Sequence, residues 1–293
     1  MTKSGIIAII GRPNVGKSTL LNALVGQKIS ITSPKPQTTR WQIWGIKTLA
    51  DAQIVYIDTP GMHRDRDQAM NRYMNRVADA AMHDVDVIVF MIDAASWHHE
   101  DELVLKKLHE ANKPVILIVN KMDLLDTKAD ILPVMDRMKD HYPFVHIIPV
   151  SAIHRENIEI LQEEIVKLLP EGPFLFPEDQ VTDKSVAFQC AEIIREKLMR
   201  NTEEELPYAT TVSIERIKQE EKFTTVNALI WVERPGQKGI VIGKNGAKLK
   251  KISIDARRDI ENLLKQKVFL RIWVKVKEGW SESDASLRSL GYE

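Results

Sequence analysis

Residues 11–18 read Gly-Arg-Pro-Asn-Val-Gly-Lys-Ser, "GRPNVGKS". The stretch satisfies G-x-x-x-x-G-K-[ST]. It lies between an apolar run at 6–10 and an amphipathic segment at 17–25. Glycines let a backbone wrap closely around phosphate with successive N–H groups turned inward. A helix opening behind such a loop adds the positive end of its dipole. The Lys17 ammonium would neutralise β- and γ-phosphates, and the Ser18 hydroxyl would ligate Mg²⁺. The predicted nucleotide contacts are Gly11, Arg12, Pro13, Asn14, Val15, Gly16, Lys17, Ser18 and Thr19.

Outward from this loop, the first half alternates short β-branched runs with helical patterns. Residues 6–10, 54–57, 85–92, 115–119 and 145–150 read as buried strands. Helices are predicted at about 17–25, 68–81, 100–111, 129–140 and 157–168. Such alternation predicts an α/β P-loop domain, a mostly parallel sheet with helices on both faces. Residues 41–49 form a further strand, joined by the short link 50–52 to the next one. That makes it an antiparallel strand at the sheet edge.

Three later stretches fall at successive strand ends, where open α/β sheets bind ligands. In "DTPG" (58–61), Asp58 would hold Mg²⁺ through its water shell and the Gly61 N–H would bond a γ-phosphate; Thr59, Pro60 and Met62 complete that contact set. In "NKMD" (Asn120, Lys121, Met122, Asp123), the Asp123 carboxylate can accept two hydrogen bonds from guanine N1–H and its 2-amino group. Adenine offers no such pair. The backbone of Ser151 and Ala152 would meet the guanine carbonyl. Together these predict a GTP/GDP site.

Residues 168–183 hold three prolines and a glycine and read as a linker. The predicted division is a GTPase domain at 1–170, a linker at 171–184, a smaller α+β domain at 185–280 and a tail at 281–293. In the second domain a helix (185–201) precedes strands at 208–217 and 223–233. A short helical turn near 237–241, a long helix at 247–264 and a last strand at 268–276 follow. The loop "VIGKNGAK" (241–248) lacks the spacing of a second nucleotide-phosphate loop. It contains G-x-x-G at Gly243–Gly246 instead, opening the long helix. This order, α-β-β-α-α-β, with that loop resembles a type II KH domain, whose G-x-x-G loop clamps a run of about four nucleotides. The expected RNA contacts are Gly243, Lys244, Asn245, Gly246, Lys248, Lys250 and Lys251, with Ile240 and Ile242 lining the groove.

The net charge is zero, yet residues 235–277 hold twelve Lys/Arg and three acids, leaving +9 there and −9 elsewhere. Such asymmetry suggests a polyanion-binding module on an acidic protein. A charge run taken alone also fits a solvated face. One cysteine, Cys190, excludes an internal disulfide framework and fits a reducing compartment. No apolar run reaches the length of a membrane span. The expectation is a soluble, cytoplasmic protein.

The motif set, in this order and spacing, resembles the translation-factor-related small GTPases. With the C-terminal region, including "KVKEGWSESDASLRSLGY" at 275–292, it is similar to the Era family of ribosome-assembly GTPases over essentially the whole chain. The resemblance implies GTP hydrolysis to GDP and a molecular switch with Mg²⁺ held by Ser18, Thr39 and Asp58. Thr39 matches the switch threonine that meets the metal when the γ-phosphate is present, and Thr38 is the neighbouring candidate. Lys17, Thr39, Gly61 and Asn14 form the implied catalytic set. Asn14 matches an asparagine that ligates K⁺ in related enzymes. Where Ras-like enzymes carry a water-orienting glutamine, this chain has Met62, then His63. A thioether cannot orient water, so hydrolysis is expected to be slow unless His63 replaces the glutamine. The resemblance further implies binding of the 3′ end of 16S ribosomal RNA in the small (30S) subunit, with rRNA maturation as the role and no DNA partner. Any attachment to the inner face of the cell membrane would be peripheral and weak. Two other readings stay open: an RNA-binding protein with a remnant G domain, and a signalling GTPase whose KH module recruits proteins.

Overall fold

The computed structural model describes residues 1–61 and 69–292. The first apolar run becomes strand β1 (Lys3–Ile10). It lies at the centre of a six-stranded sheet with β2 (Ile43–Thr48), β3 (Ala52–Asp58), β4 (Val87–Asp93), β5 (Val115–Asn120) and β6 (His146–Pro149). The order is β2-β3-β1-β4-β5-β6. Every pairing is parallel except β2 with β3, a hairpin at the edge. Central strands must bury both faces, and β3, β4 and β5 are buried at every position. Helices α1 (Lys17–Val25), α2 (Ala69–Ala80), α3 (His99–Ala111), α4 (Ile131–Lys139) and α5 (Ile158–Leu168) alternate with them. A 3₁₀ turn, Lys128–Asp130, leads into α4. Because the sheet is parallel, the segments after β1, β3, β4, β5 and β6 all leave from one edge.

The second unit begins at Lys184. Ser185 caps α6 (Val186–Asn201) by accepting a hydrogen bond from the Phe188 N–H at 3.2 Å. Strands β7 (Thr210–Gln219) and β8 (Phe223–Val232) follow, then α7 (Pro235–Ile242), a 3₁₀ turn (Lys244–Gly246), α8 (Ala247–Leu264) and β9 (Lys267–Val276). The sheet order is β7-β8-β9, antiparallel then parallel, with a bulge between Ile214 and Arg216. Cys190, Ile194 and Leu198 of α6 and Ile252, Ala256 and Ile260 of α8 pack with Val226, Ala228 and Ile230 of β8 into one core. Among the described residues, no helix is long and apolar enough to cross a membrane.

The proline-rich stretch read as a linker is bound to the first unit over residues 172–183. The Gly172 N–H donates to Thr2 O at 3.0 Å, and the Ser4 hydroxyl donates to Pro173 O at 2.7 Å. The Ile46 N–H donates to Val181 O at 2.9 Å, so the segment covers the open edge of β2. Gln53, buried on β3, explains the anchoring. Its Oε1 accepts from Leu175 N–H at 2.8 Å and Phe176 N–H at 2.9 Å, while its Nε2 donates to Phe176 O at 2.9 Å. Prolines alone carry no such information. In the tail, α9 (Asp284–Ser289) forms, and Trp280 just before it and Tyr292 are buried and stacked with centroids 6.1 Å apart. The Tyr292 hydroxyl meets the Thr211 hydroxyl at 3.0 Å, and the Trp280 indole N–H donates to Ala209 O at 3.2 Å.

Gln53→Leu would leave three backbone groups of 175–176 without their partner. We expect a loss of about 1–3 kcal/mol in unfolding free energy and faster proteolytic cleavage within 171–183. Native-like cleavage and stability would show that the segment holds by other contacts.

Candidate functional site

The loop after β1 turns into α1 through Gly16, whose φ is 110°. A Cβ there would fall 2.4 Å from the Asn120 side-chain nitrogen, so only glycine fits. Asn120 uses the space to join three segments. Its Nδ2 donates to Val15 O at 2.7 Å, and its Oδ1 accepts from the Ala152 N–H at 3.0 Å. The three motifs read separately from the sequence are thus brought to one place.

Lys17 is buried and donates to Gly11 O and Arg12 O, each at 2.9 Å. Burial lowers its pKa to about 8, although Asp58 opposes the shift. The ammonium sits inside the loop that would surround phosphate. Asn14 adopts a left-handed φ of 62° and donates through Nδ2 to Pro34 O at 3.0 Å, holding the segment between α1 and β2.

Beside the lysine, the three expected metal ligands converge. The Ser18 hydroxyl donates to Asp58 Oδ2 at 2.7 Å and lies 2.7 Å from the Thr39 hydroxyl, which is itself 3.4 Å from the same carboxylate oxygen. Asp58 is wholly buried, and its other oxygen, Oδ1, has no hydrogen-bond partner among the described residues. Desolvation raises its pKa, against the hydroxyl bonds and Lys17. Two hydroxyls and an under-satisfied carboxylate are hard oxygen donors, the set that suits Mg²⁺. The adjacent Thr38 hydroxyl donates to Lys35 O at 2.6 Å instead.

On the other side, the exposed Asp123 carboxylate accepts the Ser151 hydroxyl at 2.5 Å. One oxygen is thereby held by Ser151. Lys121, with φ 64°, pairs with Asp93 at 2.8 Å.

Several predicted contacts take structural roles here. The Arg12 guanidinium turns to Asp101 (3.1 Å) and the Ser96 hydroxyl (2.9 Å), tying the loop to the start of α3. The Thr59 hydroxyl donates to Ile9 O at 2.9 Å. Val15, Pro60, Gly61 and Ala152 are buried, Pro13, Thr19 and Met122 partly so. Met62 and His63 lie outside the described residues. Sequence reasoning missed Ser30, whose hydroxyl donates to Asp58 Oδ2 at 2.9 Å, and Asn22, whose Oδ1 accepts from the Ile29 and Ser30 N–H groups. Neither belongs to a periodic pattern or a motif, so no sequence signal marks them.

In the second unit, Gly243 (φ 73°), Asn245 (φ 52°) and Gly246 (φ 76°) take positive φ in the loop between α7 and α8. A Cβ on Gly243 would lie 2.7 Å from the Lys248 Cβ. Lys244, Asn245, Lys250 and Lys251 are exposed around the loop, and Ile240 is 54% exposed beside it. Val241 is the buried residue of α7, while Ile242 is half-buried and touches the core from its margin.

Residues 6–121 match the family described as 50S ribosome-binding GTPase, and residues 205–281 the family described as KH domain. GTPase Era of Pseudomonas putida strain W619 is 52% identical over 291 residues, 99% of this chain and 97% of that protein. GTPase Era of Pseudomonas aeruginosa strain PAO1 is 50% identical over 291 residues, 99% of this chain and 95% of that protein. A crystal structure of Era with MgGDPNP and nucleotides 1506–1542 of 16S ribosomal RNA superposes with a TM-score of 0.96 at 40% identity, covering 100% of this chain and 99% of that one. Aquifex aeolicus Era, as a single-site variant bound to GDP and AlF₄⁻, gives the same TM-score and identity over 99% of both chains. With both family matches in chain order and relatives half identical over nearly their full length, the chain belongs to the Era family of GTPases.

Proposed function

We propose that this chain is a GTP/GDP switch of the cytoplasm that binds the 3′ end of 16S ribosomal RNA during small-subunit assembly. The observation that carries the switch is the convergence of Ser18, Thr39 and Asp58, with one carboxylate oxygen lacking a donor among the described residues. These residues would hold Mg²⁺, which supplies charge to the β/γ-phosphate bridge. Lys17 and backbone N–H groups of the loop after β1, to which Pro13 contributes none, would orient the phosphates and stabilise charge developing on them. Thr39 sits on the segment between α1 and β2, so its grip would depend on the γ-phosphate. The RNA reading is supported by the Gly243–Gly246 loop, its lysines, and the RNA bound to the relative described above. Because GTP would order the switch, RNA affinity should differ between the GTP and GDP forms, and linkage makes the effect reciprocal. RNA titrations in GDP and in a non-hydrolysable GTP analogue test the whole reading. We expect tighter RNA binding with the analogue, by roughly 5- to 150-fold, and Thr39→Ala should erase most of it. Equal affinities in both states would overturn the switch.

Asp123 should select guanine. Asp123→Asn keeps an oxygen for Ser151 but replaces one acceptor by a donor. Preference should move from GTP to xanthosine triphosphate in competition binding, since mismatched buried polar groups reject a ligand strongly. Retained guanine preference would remove Asp123 as the reader.

A K⁺ ion near Asn14 belongs to the same proposal. Turnover should be faster in K⁺ than in Na⁺ at fixed ionic strength. Asn14→Gly, which keeps the left-handed backbone, should abolish that difference. Equal native rates in both salts would exclude the monovalent ion.

The RNA clamp predicts that changing Lys244 and Asn245 to Asp lowers RNA affinity while GDP affinity stays native. Unchanged RNA binding in the double variant, measured at several salt concentrations, would exclude the loop as the clamp.

A further inference from the structure

Strand β9 alternates strictly. Val268, Leu270, Ile272, Val274 and Val276 pack on the core of the second unit. Lys267, Phe269, Arg271, Trp273 and Lys275 point the other way, and all five are exposed. Phe269 is 51% and Trp273 43% exposed, unusual for large aromatic side chains in a folded protein. Burying both inward would satisfy the hydrophobic effect, yet the register places them on the outer face, each flanked by cations.

The neighbouring strands extend this face. The register sets Thr225 beside Phe269, Asn227 beside Arg271, Leu229 beside Trp273 and Trp231 beside Lys275. On the far strand, Arg216 pairs with Asn227 and Lys218 with Thr225. The Arg271 guanidinium lies 4.8 Å from the Phe269 ring centre, and Lys275 Nζ lies 5.9 Å from that of Trp231. The carboxylates here are engaged: Glu215 pairs with Lys275 at 3.6 Å, and Glu220 with Lys218 at 2.9 Å. Lys267, Arg216 and Arg271 form no ion pair among the described residues. A hollow of about 610 Å³ opens at one end, lined by Phe223, Phe269, Lys267, Arg257 and Arg271, with Glu220 and Glu261 at its wall. Glu261 is committed to the Val268 N–H at 3.1 Å.

We infer that the outer face of the β7-β8-β9 sheet is a second RNA-binding surface, distinct from the G-x-x-G loop, on which a single strand stacks bases on Phe269 and Trp273 with phosphates at Lys267, Arg271 and Lys275. The chemistry selects the occupant. Same-face residues on a strand recur every ~6.6 Å, and cations and rings alternate at that step. A single strand presents the same alternation of charged phosphate and flat base. Stacking on exposed rings within a basic field is how sheet platforms hold unpaired RNA. The surplus of positive charge argues against an acidic-poor apolar partner and matches a polyanion.

The test uses the full chain with a non-hydrolysable GTP analogue and a labelled RNA of nucleotides 1506–1542 of 16S ribosomal RNA. Phe269→Ala with Trp273→Ala should lower affinity by roughly tenfold or more. Lys267→Gln with Arg271→Gln should make the slope of log affinity against log salt shallower by about 1.4. Crosslinks from 4-thiouridine should map to β9. Melting temperature and GDP affinity report folding, and should the aromatic variant fail to fold, the two glutamine changes decide. Native RNA affinity in both variants with no crosslink to β9 overturns the inference. So does a loss of binding to anionic phospholipid vesicles with RNA affinity intact, which would make the face a membrane surface. The outcome is independent of the loop: native RNA binding by the Lys244/Asn245 variant, with loss in the sheet variants, would remove the clamp and leave this surface standing.

Discussion

The Asn120 carboxamide holds the nucleotide side of the molecule together. One side chain at the end of β5 donates into the loop after β1 and accepts from the segment after β6. Both bonds are buried, where an unmade hydrogen bond costs about 1–3 kcal/mol. Removing the side chain would leave Val15 O and the Ala152 N–H unpaired together. Gly16 is required by the same contact, because a methyl group would occupy the amide's place. Three loops from three strands therefore have one relative arrangement, and the positions of Lys17, Asp123 and Ser151 follow from it.

Around Asp58 the balance between stability and chemistry is different. A buried carboxylate with an oxygen lacking a donor among the described residues is a poor choice for stability, since burial penalises the charged form. Ser18, Ser30 and Thr39 saturate only the other oxygen. Such a group, adjacent to a lysine whose own charge is disfavoured by burial, is understandable as a site completed by a ligand. Arg12, Thr59 and Lys121 spend their polar groups on the frame around it.

In the second unit, positive charge is divided between a loop and a sheet face. The loop offers backbone and lysines at a point where no Cβ intervenes, and the sheet offers rings and cations at regular spacing. The tail closes the same unit by burying Trp280 and Tyr292. The charge excess of residues 235–277 thus serves two surfaces with different chemistry.

The α/β alternation, the phosphate loop and the G-x-x-G loop were legible in the sequence because each depends on local rules. Buried parallel strands need continuous apolar runs, left-handed turns need glycine or asparagine, and helix α8 needs its apolar stripe. The antiparallel edge hairpin was legible for the same reason, from a connection too short for a crossover. Long-range pairing decided the rest. That Thr39 rather than Thr38 faces Asp58, that Ser30 joins them, and that Arg12 turns to Asp101 depend on segments far apart in the chain. The proline-rich segment became a bound strap through Gln53. A sequence lists which groups can bond; only the folded backbone sets which of them come within 3 Å, and with water excluded those distances decide which bonds are made.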